Sequence, residues 1–136
     1  MRRNKDASRH FSSIDLLLVI IWMGVIFSFS SIQGDGASYP HSIWFYVERK
    51  GAHITEFFIL NLLLINLFLK KYATDKKTVI FASLISFLYA VLDETHQLFV
   101  FGREGKITDV GFDSIGITLA ILVFWIFIKI RKKLKK

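Results

Sequence analysis

The chain has 136 residues, 53% of them hydrophobic and 15% aromatic, with a formal net charge of +7. A chain this short lacks the volume to bury so much apolar surface in water, which excludes an ordinary soluble domain. No cysteine is present, which removes disulfides, thiol nucleophiles and thiolate metal sites.

Along the chain, a basic start (Arg2, Arg3, Lys5, Arg9) precedes a first apolar run, 14–29. The run ends among Ser28, Ser30 and Ser31, the general form of a secretory signal. It is long for a signal core and no clean small-x-small cleavage site follows, so it reads as a span. The connection 33–52 holds Gln33, Pro40 and the interfacial aromatics Trp44, Phe45 and Tyr46. A second run, 54–69, leads to the basic connection Lys70, Lys71, Lys76 and Lys77, and a third run covers 79–92. After the polar connection 99–113 comes a fourth run, 115–128, then a tail with Lys129, Arg131, Lys132, Lys133, Lys135 and Lys136.

Fourteen of the eighteen Lys and Arg thus lie at the two termini and in the middle connection. The positive-inside rule places those segments in the cytoplasm and the 33–52 and 99–113 connections outside. Basic residues that flank apolar spans suit anionic lipid headgroups and speak against nucleic acid. The expected architecture is all-α: a single integral membrane four-helix bundle over 1–136, with both termini inside and a polar cluster at the extracytoplasmic end. Its helices are expected at about 12–32, 50–69, 78–99 and 110–130.

The second and third runs fall short of the roughly 20 residues a span needs. Their helices must extend toward Lys50 and Phe101, which draws His53, Glu56, Asp93, Glu94, His96 and Gln97 into the outer part of the bilayer. Ionisable groups there face a bundle interior or a partner. Spacing supports an interior stripe: Ser86, Tyr89, Asp93, His96 and Gln97 follow steps of three and four, and Lys50, His53 and Glu56 recur every three. Gly102 and Gly105 suit a tight turn around Arg103, and Asp109 and Asp113 share one face at the start of the fourth helix. A polar residue near a helix end is often only interfacial, with Lys and Arg snorkelling. Here side chains from three helices converge at one depth, which argues for a site. Asn61, Asn66 and Thr118 lie deeper and are expected to make interhelical hydrogen bonds.

In order, the chain carries Ser30, Ser31 and Gln33; then Lys50, His53, Glu56 and Phe57; then Asp93, Glu94, His96 and Gln97; then Gly102 and Arg103; and last Asp109 and Asp113 before Gly116. This ordered set, over about 14–125, resembles the VanZ family, small bacterial membrane proteins named for a protein linked to teicoplanin resistance. Two positions depart from its pattern: Phe57 stands where Tyr is usual, and Phe101 where Pro is common before Gly-Arg. The resemblance implies a multi-pass protein of the bacterial cytoplasmic membrane. It also implies a role in the cell envelope that lowers susceptibility to lipid-tailed glycopeptides.

Two readings of the cluster follow. As a binding protein at the outer leaflet, Lys50 and Arg103 would grip an anionic headgroup of a lipid-linked envelope molecule or lipoglycopeptide. Gln33, Glu56, Gln97, Asp109 and Asp113 would complete that site. As a membrane hydrolase or transferase, Glu94 or Asp93 would be the general base and His53 or His96 the acid, with Arg103 and Lys50 stabilising the transition state. No cofactor is required by either reading. A divalent metal, if bound, would use His53 with Glu56 and Asp93 with His96, i,i+3 pairs that suit zinc, manganese or iron. An ion-coupled transporter is the remaining class, but Asp15 is the one ionisable group within a run toward the inner face, so no continuous pathway is visible.

Overall fold

A computed structural model describes residues 12–34, 42–72 and 74–135. The expectations for the basic residues 2–9, for Pro40 and for Lys136 lie outside them. The described residues form four helices and no strand: α1 (Ser13–Ser30), α2 (Ile43–Lys71), α3 (Lys76–Gln97) and α4 (Ile107–Leu134). Each is long and apolar enough to cross a membrane, so the chain is a multi-pass membrane protein. At 1.5 Å per residue, α1 is about 27 Å long and α2 about 44 Å, against a hydrocarbon core of about 30 Å. The surplus length of α2 and α4 carries their polar ends beyond the apolar belt.

Local chemistry sets the helix starts. Ser12 accepts from the Asp15 backbone N–H at 3.4 Å, and Asp75 accepts from that of Thr78 at 2.8 Å. The Thr78 N–H also holds the Asp75 carboxyl below the usual carboxylate range. Ser42 accepts from the Trp44 N–H at 3.1 Å, and α2 begins seven residues before the expected start near Lys50. Nothing between Ser42 and Lys50 breaks a helix, so Trp44, Phe45 and Tyr46 ride on the first turns of α2 and are exposed there. An apolar run marks where a helix enters lipid, not where it starts. At the other end α3 stops at Gln97, short of Phe101, and the chain turns through Gly102, whose φ of 72° is left-handed. Gly34 docks on that turn: its N–H donates to the Phe101 carbonyl at 3.1 Å, and a Cβ at Gly34 would strike the Gly102 carbonyl.

Helix α2 packs against each of the other three, most extensively against α4, while α1 rests on α2 and α3 and does not touch α4. Small residues permit these approaches. Gly116 of α4 lies against the α2 backbone at Ile54, and Ala82, Ser86 and Ala90 recur every fourth residue on the buried side of α3. Phe57, Leu60, Ile65 and Ile26 fill the centre, and Leu17, Ile21, Leu84, Leu88, Leu122 and Ile126 face outward as a lipid-compatible surface.

Two of the three deep polar residues tie helices together as expected. Asn61 donates to the Ile117 carbonyl of α4 at 3.1 Å, and Asn66 donates to Asp15 of α1 at 3.0 Å, where Lys70 pairs with the same carboxylate. Thr118 does not. It is exposed and donates to the Ser114 carbonyl of its own helix at 2.8 Å, the local bond a hydroxyl makes one turn back when no partner helix faces it.

Candidate functional site

At the end of the bundle opposite the Asp15–Lys70 pair, α2, α3 and α4 gather polar side chains in three linked groups. Across the α2–α4 contact, Lys50 Nζ pairs with Asp109 Oδ1, and Arg49 Nη2 lies 3.7 Å from Asp109 Oδ2. One turn deeper, His53 Nδ1 is 3.0 Å from Asp113 Oδ1. Asp109 and Asp113 are fully buried, set one above the other by their i,i+4 spacing. Asp109 also sits in the first turn of α4, where the helix dipole favours a carboxylate.

A second group joins α3 to the end of α1. Ser30 Oγ donates to Asp93 Oδ1 at 2.5 Å, and Ser31 Oγ lies 3.0 Å from His96 Nε2, whose ring stacks on Phe27. Arg103, from the α3–α4 turn, donates from Nε to the Ile32 carbonyl (2.9 Å) and from Nη2 to that of Phe29 (2.8 Å). Phe29 lies in the last turn of α1 and Ile32 just beyond its cap, so Arg103 holds the end of α1 from outside.

Gln97 connects the two groups. Its Nε2 donates to Asp93 Oδ2 at 2.9 Å and Glu94 Oε1 at 3.2 Å, while its Oε1 accepts from Arg49 Nη2 at 3.3 Å. Glu94 Oε2 accepts the Lys106 backbone N–H at 2.8 Å, and Oε1 stands 3.9 Å from His53 Nδ1. The carboxylate of Glu94 is thus held from two sides and turned toward the His53–Asp113 pair.

Of the residues singled out in the sequence, Lys50, His53, Asp93, Glu94, His96, Gln97, Arg103, Asp109 and Asp113 enter these three groups. Glu56 is half-buried one turn below His53, and its backbone carbonyl accepts the Trp22 indole N–H at 2.9 Å. Gln33 lies exposed just after α1. The four groups expected around a metal are not gathered. Among the described residues, the ligand atoms that come within 4.8 Å of one another belong to His53, Glu94 and Asp113. The reason is helical phase: Asp93 and His96 face α1, whereas Glu94, 100° further round α3, faces α2 and α4. Arg49, Ser30, Ser31 and the Lys106 amide are site partners that residue spacing did not select. Arg49 reads as a solvated cation beside Lys50, and no spacing within α1 reveals that its serines meet α3.

A family model described as VanZ/LLP1 matches residues 15–128, which include every residue of these three groups. No curated protein and no solved structure matches the chain.

Proposed function

The chain belongs to the VanZ/LLP1 family, and on that premise we propose that it is a bacterial cell-envelope protein of the cytoplasmic membrane, oriented with both termini inside. At the outer leaflet its polar end would take the head of a lipid-linked envelope molecule or of a teicoplanin-type lipoglycopeptide. The observation that carries this reading is the layering of charge. Arg49 and Lys50 keep 25% and 24% of their side chains exposed, while Asp109 beneath them keeps 1%. Basic groups at a rim suit a phosphate or carboxylate, and carboxylates below suit sugar or peptide donors. Four helices need far fewer polar groups than this to associate, and ionisable groups within membrane helices mark function by default.

A second reading, a hydrolase or transferase on a lipid-linked substrate, is favoured by the His53–Asp113 contact at 3.0 Å with Glu94 alongside. A carboxylate on one ring nitrogen fixes the imidazole for proton transfer, and on this reading Glu94 would act as base. The test compares envelope lipids and cell-wall precursors by mass spectrometry in cells expressing wild type or Glu94→Gln at matched membrane levels. Teicoplanin susceptibility is measured in parallel. A species altered by wild type and not by Glu94→Gln establishes the enzyme; shifted susceptibility with no altered species establishes binding. If wild type changes neither, both readings fall.

A further inference from the structure

We propose that His53, Glu94 and Asp113 form a binding site for one divalent transition-metal ion. Their ligand atoms lie within 4.8 Å of one another, with His53 Nδ1 at 3.0 Å from Asp113 Oδ1 and 3.9 Å from Glu94 Oε1. For metal–ligand bonds of roughly 2.0–2.2 Å, neighbouring donors stand about 3.0–3.5 Å apart and opposed donors about 4.2 Å. The two His53 separations, 3.0 and 3.9 Å, already fall in the range of a coordination sphere.

Two further observations point to a cation. Asp113 is fully buried, yet its Oδ2 has no hydrogen-bond partner. That oxygen shares a carboxylate with the atom that meets His53, so it stays within the cluster. An orphaned carboxylate oxygen in a desolvated interior is costly, and a ligated ion satisfies it. The second observation is charge. The half-buried and buried carboxylates of this end are Glu56, Asp93, Glu94, Asp109 and Asp113, while the half-buried cations are Arg49, Lys50 and Arg103. With every one of these carboxylates ionised and both histidines neutral, the excess is two negative charges, which one divalent ion neutralises.

Donor chemistry selects the ion. One imidazole nitrogen and two carboxylates suit zinc, manganese or ferrous iron better than magnesium or calcium, and three protein ligands leave positions open for water or a ligand. Glu94 is already oriented by outer partners, the Gln97 amide on Oε1 and the Lys106 N–H on Oε2, as ligating carboxylates usually are. Binding displaces the proton between His53 and Asp113 and places the ion there.

The test uses the full chain in detergent micelles, stripped with a chelator, loaded with Zn2+ or Mn2+ and passed through gel filtration. Wild type should retain about one ion per chain, and its Mn2+ spin-echo spectrum should show 14N coupling from a bound imidazole. His53→Ala and Asp113→Asn should each lower retention at least tenfold, with Glu48→Gln, an exposed carboxylate on the same helix, retaining the wild-type level. Retention by wild type below about a tenth of an ion per chain, or equal retention in the site variants, overturns the proposal. Should the variants fail to fold, the wild-type Mn2+ spectrum decides: nitrogen coupling upholds the site and oxygen-only ligation overturns it. Metal retention is read on purified protein and stands or falls apart from any lipid ligand.

Discussion

Lys50 retains contact with solvent while its partner Asp109 retains almost none, so the two halves of this ion pair are not equivalent. Removing Lys50 leaves a desolvated carboxylate whose remaining cation, Arg49, lies 3.7 Å away and is shared with Gln97. Breaking a buried pair from one side costs about 3–5 kcal/mol, and the Arg49 contact places Lys50→Met toward the lower figure. Removing both charges leaves no buried carboxylate stranded, and Arg49 keeps its bond to Gln97, so Lys50→Met/Asp109→Leu should recover most of that loss. Unfolding of the three proteins in the same micelles checks this; a double variant no more stable than Lys50→Met shows that the pair is not the source of the loss. Arg103 makes a different kind of contact. Its two bonds end on the backbone carbonyls of Ile32 and Phe29, and only a planar guanidinium reaches both. Arg103→Lys should therefore speed amide exchange across residues 30–34 while leaving α2–α4 exchange unchanged, measured by hydrogen–deuterium exchange. Unchanged exchange over 30–34 would show that Arg103 does not hold the end of α1. At this scale the sequence marked many of the side chains that the structure brings together, but not their partners. Ser30–Asp93 spans 63 positions and His53–Asp113 spans 60, and no local periodicity encodes such pairs.

Between elements, the α2–α4 contact is decided by one missing side chain. A Cβ at Gly116 would strike the Ile54 carbonyl and press on the Phe58 amide, both backbone atoms that cannot rotate away. Gly116→Ala should push the helices apart and destabilise by about 1–3 kcal/mol. Gly111, on the same helix and exposed, has nothing within 4 Å of its would-be Cβ. Gly111→Ala should be neutral or stabilise by about 0.4–1 kcal/mol, because it only reduces unfolded-chain freedom. Thermal unfolding in micelles separates the two, and equal effects would mean that the close approach carries no packing energy. The four apolar runs and their polar intervals were legible as helices because lipid demands long apolar stretches with every backbone group paired. The early start of α2 was hidden because Trp44, Phe45 and Tyr46 suit an interface whether in a loop or a helix. Thr118 misled for a related reason: a hydroxyl at mid-helix has its own carbonyl to bond and needs no neighbour.

Across the whole molecule, charge is divided between the two ends of the bundle. Lys70, Lys71, Lys76 and Lys77 join α2 to α3, and Arg131, Lys132 and Lys133 close α4, while the described carboxylates other than Asp15 and Asp75 gather at the far end with His53 and Gln97. A positive segment resists translocation far more strongly than a negative one, and the proposed orientation rests on this division. The proposed orientation puts the α2–α3 connection in the cytoplasm and the α3–α4 turn outside, and the absence of cysteine from the chain makes that directly testable. Lys76→Cys and Glu104→Cys each introduce one thiol at an exposed position, one at either end. A membrane-impermeant maleimide added to spheroplasts should label Glu104→Cys and spare Lys76→Cys until the membrane is opened, and inverted vesicles should give the reverse. Labelling of Lys76→Cys in intact spheroplasts would turn the bundle over. The carboxylate-rich end would then meet cytoplasmic rather than envelope molecules, and the outer-leaflet reading would fail while the metal site would stand.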